Sequence, residues 1–326
     1  MARPIRHIPR DSSRRRLWVY LAVAAFLLVD IALIAFALNS NRPSDAAEEA
    51  RPAPTYGTQT TSDDAATPVS PSAPAASAIA AVPPTRFLSG VDDTTAWRAV
   101  TGECPAAQAE PELTTDSGTS WTTTNATGPT EITAPQSLDA TSESIVEFVG
   151  LSGVDCAPDF VQTFVGGDTF KSYPDKLASS WFVDPADRAT VHSPAGETTA
   201  PCDSVIALAP RDADSAALLC ADQTVFTTTD AAAAWSSPIT IPGAVNLAVT
   251  GAGYAVAAVG LPECAGVQLI ALSDESREVT PMGCLLVEAP AEITPGSVAI
   301  SEAADILWLW VGETVHRSLD GGLAWQ

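Results

Sequence analysis

Between Arg86 and Gln326 the chain writes short apolar runs separated by Gly, Pro, Asp and Ser: "VIALAP", "AALLCAD", "TVFTTTD", "VNLAVTG", "YAVAAVG", "VQLIALSD", "SVAIS", "ILWLWVGE" and "TVHRSLD". Runs of four to eight residues bounded by turn signals predict strands, and no convincing helical pattern interrupts them. An all-β domain over 86–326 follows. Upstream the pattern changes twice. "LWVYLAVAAFLLVDIALIAFAL", Leu17 to Leu38, is apolar with a single charge, Asp30. At about 1.5 Å rise per residue such a run crosses a hydrocarbon core of about 30 Å. Residues 39–85 then hold eight prolines among Ala, Ser, Thr and Asp. That composition cannot bury a core and predicts a disordered or polyproline-like tether. The expected division is a basic tail (1–16), a transmembrane helix (17–38), a linker (39–85) and the all-β domain.

The all-β part repeats itself. "TTDSGTSW" aligns with "SLDGGLAW" as Ser/Thr-x-Asp-x-Gly-x-(Ser/Thr/Ala)-Trp. Thr114, Asp116, Gly118, Ser120 and Trp121 fit fully, and Ser318, Asp320, Gly322 and Trp325 nearly so. "TTDAAAAW" keeps Thr228, Asp230 and Trp235 with Ala232 at the glycine, while "TFVGGDTF" keeps Thr163 and Gly167 but has Val165 for the acid. "GVDDTTAW" shares only Asp92 and Trp97. In such an octet the carboxylate can accept N–H bonds across a turn, the glycine permits positive φ, and the Trp can pack on a neighbouring unit. Each group serves a turn; none is catalytic.

The octet resembles the Asp-box (BNR) repeat of sialidase-like, sortilin-like and photosystem II assembly-factor-like β-propellers. The resemblance implies that each octet closes the turn between the third and fourth strands of a blade. Spacing of the octets fits five to seven blades, and six is the count adopted, with 179–197 as either a short blade or an insertion. After Trp325 only Gln326 follows. The apolar run Ala78–Val82 is therefore expected to pair beside Thr314–Leu319 and close the ring.

Charge and cysteine content refine the picture. Six of the sixteen basic residues precede the apolar span, which places the N-terminus in the cytoplasm. A cleaved signal would have an apolar core of about 7–15 residues, shorter than this one. The exported part keeps ten basic residues and all but two of the thirty-nine acids, so it presents no basic face for nucleic acid. Cys104, Cys156, Cys202, Cys220, Cys264 and Cys284 all lie in that part and read as disulfide candidates. Their positions suit 202 with 220, 264 with 284 and 104 with 156, although six cysteines allow fifteen pairings. Three histidines and no C-x-x-C speak against zinc, and no metal or cofactor is expected.

The resemblance raises an enzyme reading. Sialidases need an arginine cluster, a Tyr paired with Glu, and an Asp acid/base. Here the arginines of the domain are Arg86, Arg98, Arg188, Arg211, Arg277 and Arg317, and its tyrosines are Tyr173 and Tyr254. No Phe/Tyr-Arg-Ile-Pro motif, G-x-S-x-G elbow, phosphate loop or HExxH accompanies them. The expectation is a membrane-anchored, extracytoplasmic propeller of a bacterial cell surface that binds or scaffolds an envelope protein or glycan without catalysis. A degenerate sialidase-like glycoside hydrolase is the alternative. Asp30 costs about 2.5–3.5 kcal/mol in mid-membrane, so it either contacts a partner helix or sits protonated or near the interface.

Overall fold

The computed structural model describes residues 80–326 apart from 154, 275 and 276. The expected transmembrane helix over 17–38, Asp30 and the linker as far as Ile79 lie outside the described residues. Among the described residues no helix is long and apolar enough to cross a membrane.

Six antiparallel sheets follow one another along the chain and form a six-bladed β-propeller. Blade 1 is β1 (Arg86–Gly90), β2 (Ala96–Val100), β3 (Glu112–Thr114) and β4 (Thr122–Thr123). Blade 2 splits its inner strand into β5 (Ile132–Thr133) and β6 (Asp139–Ala140), followed by β7 (Val146–Ser152), β8 (Ala157–Thr163) and β9 (Lys171–Ser172). Blade 3 has three strands, β10 (Phe182–Val183), β11 (Thr190–Ser193) and β12 (Gly196–Thr199). Blade 4 is β13 (Val205–Pro210), β14 (Ala216–Cys220), β15 (Thr224–Thr228) and β16 (Ile239–Thr240). Blade 5 is β17 (Ala244–Thr250), β18 (Gly253–Val259), β19 (Gly266–Ser273) and β20 (Val279–Leu286). Blade 6 is β21 (Val298–Ala303), β22 (Ile306–Val311) and β23 (Thr314–Ser318).

Alternation along these strands sends one set of side chains to each neighbouring blade. Each junction therefore holds its own apolar cluster: Leu219 and Val256 between blades 4 and 5, Leu269 and Leu309 between 5 and 6, Phe148 and Trp97 between 1 and 2. Alanines such as Ala255, Ala257 and Ala258, all buried, let the blades approach closely. The junction of blades 2 and 3 is the poorest, with only Val149, Phe160 and Phe182 buried in its cluster.

Blade 3 lacks the innermost strand among the described residues. Three observations fix its strands to the second, third and fourth places. In blades 1 and 6 a second-strand Trp donates its indole N–H to the first hairpin turn of the next blade: Trp97 to the Ser142 carbonyl and Trp308 to that of Asp92. Trp181, directly before β10, does the same to the Asp212 carbonyl at 2.9 Å. Ser193, ending β11, accepts the Ala195 N–H through its hydroxyl, as Thr228 at the end of β15 accepts that of Asp230. Finally, Trp181 lies at the end of β13 while Arg188, beyond β10, meets its start, where the Val205 N–H donates to the Arg188 carbonyl at 2.9 Å. So β10 runs opposite to β13. True inner strands run alike: Thr85 N–H reaches the Gly296 carbonyl before β21, and Gly90 N–H reaches Ser301 Oγ near its end.

Ring closure differs from the expected strand exchange. Ala80–Val82 form no strand, and Ala81 is buried in the cluster shared by blades 4 and 5. Val82 and Pro83 lie beside Gly296, just before β21. β23 pairs with β22, and beyond it the Arg317 and Gln326 backbones exchange hydrogen bonds of 2.9 and 3.1 Å. Blades 6 and 1 are joined instead by side chains. A Cβ on Gly90 would stand 2.7 Å from the Trp308 indole, so only glycine lets that ring in. Arg317 lies over Trp308 and donates to the Asp93 carbonyl, and Arg98 sits between Trp121 at 4.1 Å and Trp310 at 4.8 Å.

The cysteines form three disulfides, 104–156, 202–220 and 264–284, with Cα atoms 6.0, 6.3 and 5.9 Å apart. The first ties the β2–β3 loop of blade 1 to the β7–β8 turn of blade 2, the other two close loops within or beside one blade, and each adds about 2–4 kcal/mol.

Candidate functional site: the central channel

The inner strands surround a channel of about 910 Å³. That is the size of a small-ligand cleft, about 300–1,000 Å³. Its wall is built mainly by β1, β6, β13, β17 and β21, and at blade 3 by Trp181, Phe182 and Val183. Because no inner strand stands there among the described residues, Val149 of β7 and Phe160 of β8 also reach the channel.

Its charge is uneven. Asp139 and Glu147 are register partners on β6 and β7, so their side chains share a face. Glu147 pairs in turn with Gln162, whose Nε2 donates to Glu147 Oε2 at 2.9 Å. Lys176, in the short helix α1 (Pro174–Leu177), donates to Gln162 Oε1 at 2.6 Å. Val149 and Phe160 stand on that same face, and they share a cluster with Phe182 of blade 3. The acids therefore look toward blade 3. Asp139 is exposed to the channel, yet the surrounding wall desolvates its carboxyl and holds it above the ordinary range. Glu147 is raised as well, first by burial and then by Asp139, against the pull of Lys176.

The three channel arginines are already engaged. Arg188 donates to the carbonyls of Val205 at 2.7 Å and Ile206 at 3.0 Å, and burial lowers its pKa. Arg211 pairs with Asp274 at 2.6 Å and lies over the Tyr254 ring at 5.0 Å. Arg86 pairs with Glu313 at 2.9 Å and stacks on Trp310. Tyr254 is fully buried, and its phenol is pushed up to about 12, mainly by burial and then by Asp274. Neither Tyr254 nor Tyr173 lines the channel.

The octet residues lie away from the channel, between the third and fourth strands or just after β23. Thr114 Oγ1 donates to Asp116 Oδ1 at 2.9 Å and accepts the Gly118 N–H at 2.9 Å. Asp116 accepts the Ser120 N–H and hydroxyl at 2.9 and 2.6 Å. These bonds, led by the Ser120 hydroxyl, hold its pKa at about 2. Thr228 with Asp230 and Ser318 with Asp320 repeat the hydroxyl–carboxylate bond at 2.8 Å, and Ala234 and Ala324 N–H groups close the turns. Gly118 and Gly322 take φ of 84° and 90°, and Ala232 takes 69° at the same place. Trp121, Trp235 and Trp325 pack half-buried against apolar clusters. Asp92 belongs to the β1–β2 turn, where it accepts the N–H groups of Thr94 and Thr95. Asp139 and Glu147 were not singled out from the sequence. Their one signal is an acid inside the apolar alternation of "SIVEFVGL".

No family model and no curated protein matches the chain. Solved structures do. YCF48 bound to D1 peptide is 17% identical over 76% of this chain and 70% of that one, with a TM-score of 0.29. YCF48 from Cyanidioschyzon merolae is 13% identical over 77% and 85%, with a TM-score of 0.36. The GH74 enzyme of Niastella koreensis is 12% identical over 74% of this chain and 37% of its own length, with a TM-score of 0.30. Likenesses this distant carry no functional argument, so the reading of the site rests on its own geometry.

Proposed function

We propose that this chain is a non-catalytic binding or scaffolding module: an Asp-box β-propeller held outside a bacterial cell membrane by residues 17–38, engaging an envelope protein or glycan. The observation that supports it most is the commitment of the channel's cations. Arg86, Arg188 and Arg211 each serve an acceptor within the protein, and among the described residues no tyrosine lines the channel to act as nucleophile. The octets, tied up in their own hydrogen bonds, act as staples for the blades rather than as a site. What stays open in the channel is a carboxylate pair and an apolar wall, which suits recognition.

The test has two arms. Purified full-length chain is incubated with a panel of glycosides, and mild-detergent crosslinking is run on whole membranes. No turnover together with a reproducible crosslinked partner is expected. Turnover abolished by Tyr173→Phe or Tyr254→Phe would overturn the reading in favour of a glycoside hydrolase. Protease added to intact cells should remove 86–326 and spare the N-terminal arginines; protection of the propeller would place it on the wrong side of the membrane.

A further inference from the structure

Blade 3 turns a strand edge toward the channel. β10 pairs with β11 and, among the described residues, with nothing on its other side. The Asp184 N–H donates to the Thr190 carbonyl at 3.0 Å, so the peptide groups at 182 and 184 face β11. Those of Val183 then point the other way, into the place where the other blades keep their inner strand. The edge is held firmly: Phe182 stacks on His192 at 4.1 Å, and Trp181 is tied to Asp212. Across that place stand Asp139 and Glu147, on the face of blade 2 that looks toward blade 3.

We propose that a partner protein adds an extended segment to β10 as the inner strand of blade 3, with a lysine or arginine of that segment set between Asp139 and Glu147. The proposal rests on the binding reading above and names its partner class. Strand addition supplies affinity through main-chain bonds and specificity through the pockets that alternate side chains enter. Here the backbone partner is Val183, the apolar pocket is Val149 with Phe160, and the charged pocket is the carboxylate pair. The nearby cations are spent: Lys176 on Gln162, Arg188 on two carbonyls. Among the described residues neither forms an ion pair with Asp139 or Glu147, although Lys176 still pulls on Glu147 through space. The chain's own segment 70–79, "SPSAPAASAI", is the nearest alternative occupant, but it carries no basic residue and has prolines at 71 and 74, which cannot donate to a ladder.

The experiment uses the full-length chain in detergent micelles and two labelled seven-residue Thr/Val peptides, one with a central lysine and one with a central glutamate. The lysine peptide should bind at least tenfold tighter. Val183→Pro removes an N–H that β11 does not use and should weaken it at least tenfold. Asp139→Asn with Glu147→Gln should bring the two peptides within twofold of each other. In wild type the lysine peptide should slow exchange of the Val183 amide at least tenfold, a readout that survives if the proline variant misfolds. Equal binding of the two peptides, or an unprotected Val183 amide, overturns the proposal. So does a tenfold gain in affinity when 70–79 is replaced by glycine and serine, which would make this chain its own occupant. If a crosslinked envelope partner holds to Val183→Pro as well as to wild type, strand addition fails while the binding reading stands.

Discussion

Blades 3 and 6 each have three strands, yet the three differ in place. In blade 6 they are the first, second and third, and Gln326 already begins to pair outside them against Arg317. In blade 3 they are the second, third and fourth, so its open side faces the channel. An outer edge borders solvent, where water satisfies the backbone. An inner edge borders an enclosed wall, where unpaired peptide groups cost more and invite a partner strand. Both blades keep an indole N–H on the next blade's first hairpin turn and a hydroxyl that closes the turn after their own third strand.

The indoles give the largest expected effect. Trp308 is completely buried, and Trp308→Ala should cost about 3–5 kcal/mol as a large cavity at the closing seam. Trp181 borders the channel, so Trp181→Ala should cost visibly less. Urea midpoints compared at equal slope read the difference. Equal losses would mean that the blade 3 junction is as tightly packed as the closing seam, against the small cluster seen there.

The disulfides come next. Blades 3 and 6 have none within their strands, whereas 202–220 pins the start of blade 4 directly after blade 3. Replacing Cys202 and Cys220 together by serine should cost about 2–4 kcal/mol. Because that bridge anchors β13, the inner strand next to the open edge, exchange of the Val183 amide should rise in the same variant. Unchanged exchange would separate blade 4 from the edge.

A smaller loss is expected at the hydroxyls. Ser318 is fully buried and accepts the Gly322 N–H at 2.8 Å, so Ser318→Ala leaves that donor unpaired and should cost about 1–3 kcal/mol. Ser193 has no carboxylate two residues on, but it donates to the Ala231 carbonyl of blade 4 at 2.8 Å. Ser193→Ala should therefore fall in the same range. A neutral Ser193→Ala would break the assignment of β11 as a third strand.

Much of the ring was legible in the sequence because turn chemistry is local. Thr114, Asp116 and Gly118 act on one another within five residues, so the octets marked turns, and the resemblance to Asp-box propellers turned their recurrence into five to seven blades, with six adopted. Blade 3 was legible only as an uncertainty, since "SPAGE" keeps the serine but has no acid two places on and its glycine one place early. Ring closure was misread. An apolar run before the first blade invites a strand, but the choice between pairing and packing is made by Gly90 and Trp308, which lie 218 residues apart and signal nothing locally. The channel acids were missed for the same reason. Asp139 and Glu147 mean little until register puts them on one face.

The smallest effect separates those acids from the octet acids by its sign. Asp116 titrates near 2 in the folded protein against an ordinary 3.8. Its contribution is thus complete above the ordinary value and is lost as pH falls toward 2. Glu147 is displaced the other way, upward from 4.5. Its ionisation disfavours the fold, so stability declines as pH rises from that ordinary value through the higher folded one. Two difference curves follow. Wild type minus Asp116→Asn should shrink on going from pH 4 to pH 2, only slightly, because Asp116 is exposed and salt screens it. Wild type minus Glu147→Gln should fall as pH climbs from 4 to 7, and Asp139→Asn in the background should flatten it, since Asp139 supplies part of the displacement. Stability measured by urea titration across that range checks both. Two curves of the same sign would mean that the carboxylates facing blade 3 are not crowded, and the case for a cation between them would lose its electrostatic half.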